Sequence, residues 1–146
     1  MPTAALLAII ANVGLLQQIT AERTRLLAAK MKLYQSTFNP DPTNVVADFV
    51  AAEATFTGYA AVTIVWNAVG VDQDGGYSAI GSNCFFQATD AVTPNTIGGC
   101  WIEDSAGALK EFIPFGTPVP MSAALDALSV IPILRQPPPD QGNLTY

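Results

Sequence analysis

Asn83-Cys-Phe-Phe-Gln-Ala-Thr89, Thr93-Pro-Asn95, Thr96-Ile-Gly-Gly-Cys-Trp-Ile-Glu103 and Asp104-Ser-Ala-Gly107 follow one another along one stretch of the chain. Aromatic and β-branched side chains suit a pleated, half-buried surface. Thr-Pro-Asn and Asp-Ser-Ala-Gly are turn signals. The stretch therefore reads as strand, turn, strand, turn. It predicts a hairpin that reverses near Thr93–Pro94.

The same grammar extends in both directions. Upstream, Tyr59-Ala-Ala-Val-Thr-Ile-Val-Trp66 reads as a strand, Asp72-Gln-Asp-Gly-Gly76 as a turn, and Tyr77 to Ile80 as a short strand. Downstream, Ala108 to Phe115 reads as a strand weakened by Pro114, and Gly116-Thr-Pro-Val-Pro120 as a loop. Ser129-Val-Ile-Pro-Ile-Leu134 closes the series, with Pro132 assigning it to an edge or a bulge. Five or six short strands joined by tight turns, without βαβ alternation, predict a mainly β fold. The expected form is an antiparallel β-sandwich or small barrel preceded by an N-terminal α-helical segment.

That segment reads as helix over residues 3–34. Thr3 is a candidate N-cap. Leu6, Ile9, Val13 and Leu16 share one stripe, and Leu15, Ile19, Leu26 and Leu33 a neighbouring one. Gly14 is its weak point, at about 1 kcal/mol relative to Ala. Phe38-Asn-Pro-Asp-Pro-Thr-Asn44 then stops the helix. Val45 to Ala54 suggests a short helix, with Asn44 as cap and Asp48 in its first turn. The expected organisation is 1–36 as a helical assembly segment, 37–136 as the β domain, and 137–146 as a Pro-rich extended tail.

Charged residues make up only 12% of the 146 residues, and the net charge is −6. Ordinary globular chains carry about 25% charged residues, so this surface suits coverage by partners or by uncharged polar side chains. Residues 1–32 are mildly basic and the remainder is strongly acidic. An acidic body repels phosphate backbones, so nucleic acid is not an expected partner. Residues 4–11 are apolar but far shorter than the roughly 20 residues of a membrane span. No span and no signal peptide are read there.

The chain has no histidine. This removes the commonest general base and the commonest metal ligand. Asp72 and Asp74 begin like a calcium loop, but Gly75 stands at the fourth position and the closing Glu is missing. Glu103 and Asp104 form a second carboxylate pair without a surrounding aromatic cluster. No catalytic residue, metal or cofactor is expected. Trp66 and Trp101 suggest a sugar platform, and a carbohydrate-binding module is the alternative function, although their strand positions favour core packing. Cys84 and Cys100 lie on the two strands of the predicted hairpin. They are a candidate disulfide, which needs Cα atoms within about 7 Å. Two buried thiols are the favoured reading.

Leu33-Tyr34, Phe38-Asn-Pro-Asp-Pro42, Ala47-Asp-Phe49, Glu53-Ala54 and Phe56-Thr-Gly-Tyr-Ala60 together resemble small tailed-phage and prophage virion proteins. The resemblance covers residues 33–134 and includes the later Trp-Ile-Glu-Asp strand. It implies a non-catalytic virion structural protein, a capsid decoration, fibre or tail component with an acidic β domain, in a particle assembled in the host cytoplasm. Its partners would be other copies of itself and other virion proteins. The expected association residues are Leu6, Ile9, Ile10, Val13, Leu16 and Ile19, on the uncharged first half of the helical segment.

Overall fold

Lys30-Met-Lys-Leu-Tyr-Gln35 carries two periodicities, and the fold uses the shorter one. The computed structural model describes residues 15–137. Helix α1 occupies residues 15–25 and ends where Leu26 N–H reaches the carbonyls of both Glu22 and Arg23. Ala28 then adopts a left-handed conformation, φ 59°, which costs a non-glycine residue about 1 kcal/mol. The next residues form strand β1 (Lys30–Gln35), with Met31 and Leu33 buried. The helix expected through residue 34 is thus corrected to one that stops at 25. Hydrogen bonding on both edges of β1 and burial of alternate side chains outweigh the modest helical propensity of the Ala-Leu run.

Eight further strands follow among the described residues: β2 (Val62–Thr63), β3 (Gly70–Val71), β4 (Tyr77–Ile80), β5 (Cys84–Gln87), β6 (Asn95–Glu103), β7 (Leu109–Met121), β8 (Ala127–Val130) and β9 (Ile133–Gln136). Helix α2 (Val46–Ala51) lies between β1 and β2. The fold is mainly β, with antiparallel sheets, as expected. Val45, not Asn44, takes the N-cap position of α2, and the Asp48 carboxylate accepts the Val45 N–H at 2.9 Å. Asn44 is instead drawn into the preceding turn, where its side chain accepts the Asp41 N–H.

The chain divides into two compact units, each built from separated stretches. Among the described residues, one holds 15–26, Val65–Ser82 and 131–137; the other holds Leu27–Ile64 and Asn83–Val130. The boundary expected at residue 36 therefore falls inside a unit, because β1 is a sheet strand.

In the larger unit the strand order is β2-β1-β6-β7, with a separate β5-β8 pair. The predicted hairpin of strands 83–89 and 96–103 does not form. β5 pairs with β8, whereas β6 pairs with β1 and β7. The turn near Thr93–Pro94 carries the chain between sheets. β7 also continues through the predicted loop at 116–120, where its register against β6 shifts between Ile97 and Gly99. It keeps Pro114, Pro118 and Pro120 because it is an edge strand, where a missing N–H need not break a ladder. The predicted strand 129–134 divides at Ile131–Pro132 into the end of β8 and the start of β9.

Tyr34 organises the core of this unit. Its ring packs edge-on against Phe38 and Phe49, both at 5.7 Å between centroids, and Phe49 reaches Trp101 and Phe112 at 5.5 Å. Tyr34 is register partner to Gly99 of β6. A Cβ at Gly99 would collide with the Tyr34 hydroxyl and stand 2.5 Å from the Ile113 carbonyl oxygen. The Tyr34 hydroxyl is buried and has no hydrogen-bond partner among the described residues.

Two outcomes follow from this packing. Gly99→Ala should lose about 3 kcal/mol in urea unfolding, at the upper end for overpacking. Tyr34→Phe should be neutral or gain about 1 kcal/mol, since it removes an unsatisfied buried hydroxyl, and should recover part of the Gly99→Ala loss. Independently, deleting residues 1–32 should abolish the cooperative unfolding transition, because it removes buried Met31 and half of β1.

Candidate association surface and charged pocket

Of the association residues expected from sequence, Leu6, Ile9, Ile10 and Val13 lie outside the described residues. Leu16 is 40% exposed, but Ile19 is only 3% exposed. Ile19 is thus corrected from an association residue to a core residue. It shares its buried helix face with Leu26, seven positions on. α1 is tied down by two polar contacts. The Trp66 indole N–H donates to the Leu26 carbonyl at 3.0 Å, satisfying an orphan acceptor at the helix end. The Arg23 guanidinium donates to the Trp66 and Asn67 carbonyls at 2.9 and 2.7 Å.

The smaller unit holds the three-stranded sheet β3-β4-β9. A bridge between Trp66 and Gly81 prolongs its hairpin beyond β3 and β4. Ile80 faces Ile133 in register. The Ser82 N–H donates to the Val65 carbonyl, and Gly81 N–H to the Pro132 carbonyl. Side chains alternate across a sheet, so this register sorts them into two faces. Trp66, Ala79 and Pro132 are buried on one. Val65, Ile80 and Ile133 occupy the other at 67%, 45% and 59% exposure, flanked by Ile131 at 55%. By the same alternation Ser78 and Arg135 lie on this face too, and the charge there is internally paired. Arg135 bonds the carboxylates of Asp72 and Asp74, and the Ser78 hydroxyl donates to Asp72 at 2.6 Å. The Gly76 N–H and Arg135 hold the Asp74 carboxyl below the usual carboxylate range. These two acids are therefore turn and ion-pair residues of the β3–β4 connection.

A second feature lies in the larger unit. A pocket of about 340 Å³ is lined by Ala28, Lys30, Lys32, Glu103, Asp104, Ser105 and Gly107. It brings the second predicted carboxylate pair to one wall, and both members are engaged. Glu103 accepts the Trp101 indole N–H at 2.9 Å and pairs with Lys32 at 3.2 Å. Asp104 accepts the Ala106 and Ala108 N–H groups and pairs with Lys110 at 3.3 Å. The Ala108 N–H, followed by Lys110, lowers the Asp104 carboxyl from its ordinary value. This arrangement is organised to hold charge in place.

Trp66 and Trp101 are 5% and 0% exposed, so neither presents a face to a sugar ring. Cys84 and Cys100 are buried thiols, with no disulfide between them. Their strands pair with different neighbours rather than with each other. Burial, with a further push from Cys84, raises the Cys100 thiol to about 12, and burial raises Cys84 as well. Burial also raises the Tyr34 hydroxyl to about 12. Tyr59 is raised by burial too, while its hydroxyl donates to Glu53 at 2.8 Å and accepts the Leu33 N–H at 3.1 Å. The exposed aliphatic face was not recognised in the sequence. Its signal is the spacing of Ile131 and Ile133 around Pro132, which shows alternation without showing which side is covered.

Among the described residues no helix is long and apolar enough to cross a membrane, and no cluster of three metal-ligating side chains occurs.

The raised thiols and phenols give a signed pH dependence. From the ordinary thiol value of 9.0 upward, the unfolded chain ionises groups that the fold keeps neutral up to about 12. Stability from these groups is full below pH 9 and is lost as pH rises toward 12. Thermal melts should show Tm falling across that window, and falling less steeply in Cys100→Ala. A Tm that stays level to the top of the window would contradict this assignment.

Comparison with family models, curated proteins and solved structures finds no match to this chain.

Proposed function

We propose that the chain is a non-catalytic structural subunit that works by self-association and by docking on a larger assembly. The observation that supports this reading is the aliphatic face of the three-stranded sheet, Val65, Ile80 and Ile133 with Ile131 beside them. Its neighbouring carboxylates are already paired with Arg135. A charge-poor chain that leaves aliphatic side chains outward on one sheet face is suited to being covered.

The setting we propose is a virion, with the subunit serving as a capsid decoration or fibre component assembled in the host cytoplasm. The resemblance of residues 33–134 to small tailed-phage proteins supplies that setting. The acidic balance of the chain favours protein partners over nucleic acid.

Sedimentation velocity and light scattering on the full-length chain test the reading. The expected result is a species heavier than the 15.3 kDa monomer, growing with concentration or resolving into a discrete particle by electron microscopy. A monomer at every concentration would overturn it.

A further inference from the structure

We propose that the chain cuts itself at the Asp41–Pro42 peptide bond in mild acid, with the Asp41 carboxylate as nucleophile, and that the folded turn around this bond primes it. The reaction holds whether or not the chain self-associates.

The residue types supply the bond. Asp41-Pro42 is the one Asp–Pro pair in the chain. An aspartate carboxylate can close a five-membered ring on its own carbonyl carbon. Proline makes the leaving group, because its nitrogen is a tertiary amide, more basic than an ordinary peptide nitrogen and readier to take a proton as it departs.

The fold supplies the geometry. Asp41, Pro42 and Thr43 are exposed, in the connector between β1 and α2. The Thr43 N–H donates to Asp41 Oδ1 at 2.7 Å, and the Thr43 hydroxyl donates to the same oxygen. A carboxylate held by the N–H two residues on is turned toward its own carbonyl and not back along the chain. Among the described residues Asp41 Oδ2 accepts no hydrogen bond, which leaves it as the attacking atom. The Asn44 N–H donates to the Asp41 carbonyl oxygen at 3.1 Å. That is the oxygen on which negative charge develops as the ring closes. The Asn44 side chain accepts the Asp41 N–H at 2.7 Å and donates to Asp48 of α2 at 3.1 Å, so the turn is also anchored to the helix. Nucleophile, carbonyl and donor are assembled within four residues before any reaction begins.

The step balances without a cofactor. Oδ2 bonds to the Asp41 carbonyl carbon, and the bond from that carbon to the Pro42 nitrogen breaks. The nitrogen keeps the electron pair and takes a proton from solvent. Water then opens the cyclic anhydride left on Asp41, giving a side-chain carboxylate and a new C-terminal one. One chain and one water become residues 1–41 and 42–146. The event occurs once per chain, so it is compatible with a non-catalytic subunit.

Packing keeps the pieces together. β1 belongs to the first piece and is hydrogen-bonded to β2 and β6 of the second. Tyr34 and Phe38 of the first pack against Phe49 of the second. The cut frees the connection between β1 and α2 and leaves the strand in its sheet.

Mass spectrometry of the full-length chain held at about pH 4, folded and in urea, tests this. The folded chain should yield 1–41 and 42–146 at least about tenfold faster than the unfolded one, a small part of what aligned groups and one placed donor supply. Thr43→Val keeps the branched shape and loses the hydroxyl bond. It should slow the folded chain and leave the rate in urea unchanged. Asp41→Asn and Pro42→Ala should each slow cleavage at least about tenfold, by weakening the nucleophile or the leaving group. The Thr43 hydroxyl and N–H hold the Asp41 carboxyl below the usual carboxylate range. The rate should therefore climb on acidification and level off at a lower pH in the folded chain than in urea. If circular dichroism shows unfolding at about pH 4, the same comparison is made at about pH 5.

A folded chain that stays whole, or that cuts no faster than the unfolded chain, would overturn the proposal, the second result showing ordinary acid lability only. Folded Thr43→Val cutting as fast as wild type would overturn the role of the turn. Asp41→Asn cutting as fast would overturn the nucleophile.

Discussion

The Tyr34 ring can lie across β6 only because residue 99 has no side chain. That one close approach sets the depth of the aromatic core. Phe49 enters from α2, Trp101 from β6 and Phe112 from β7, all meeting at 5.5–5.7 Å from a neighbouring ring. The same strand that carries Tyr34 binds the chain on both sides. β1 pairs with β2 and β6, and beyond β2 the Ala52 carbonyl and Ala54 N–H add to its edge. A buried hydroxyl with no partner among the described residues is the cost of this arrangement. It is tolerated because the ring attached to it packs against Phe38 and Phe49, and Phe49 in turn carries Trp101 and Phe112.

The smaller unit is governed by a different economy. The C-terminal end of α1 is held by the Trp66 indole and the Arg23 guanidinium rather than by a glycine cap. These contacts use the inner face and the outer edge of the 65–67 segment. They leave the opposite face of the β3-β4-β9 sheet aliphatic and open. A chain with few charges has little with which to cover such a face, so the charges it has are spent locally. Arg135 is bound to the β3–β4 turn, Lys32 to Glu103, and Lys110 to Asp104. Side chains that sequence inspection nominates for chemistry are held in place as structural ties.

Alternation and turn chemistry were legible from composition and spacing alone. Tyr77–Ile80 forms the strand that its residues predict, Asp104-Ser-Ala-Gly107 turns, and Val46–Ala51 is helical. The mainly β, antiparallel class follows from these local signals, because a two-residue period and a Gly-Asp turn act over only a few residues. The burial of Trp66, Trp101 and both cysteines follows from their positions in apolar runs.

Partnership between strands was not legible. Asn83–Thr89 and Thr96–Glu103 look like a hairpin, yet the first pairs with distant β8 and the second with distant β1 as well as with β7 next to it, since pairing is settled by which faces bury together and not by sequence distance alone. Lys30–Gln35 satisfies helical and strand periods at once, and contact with β2 and β6 resolves the ambiguity. Proline at 114, 118 and 120 signals a loop locally, but an edge position makes it compatible with a strand. The aliphatic face formed by Val65, Ile80 and Ile133 comes from three stretches of chain that no local rule connects. The kinds of element were written in residue type and spacing; their neighbours, and the side of the sheet left open, depended on long-range packing.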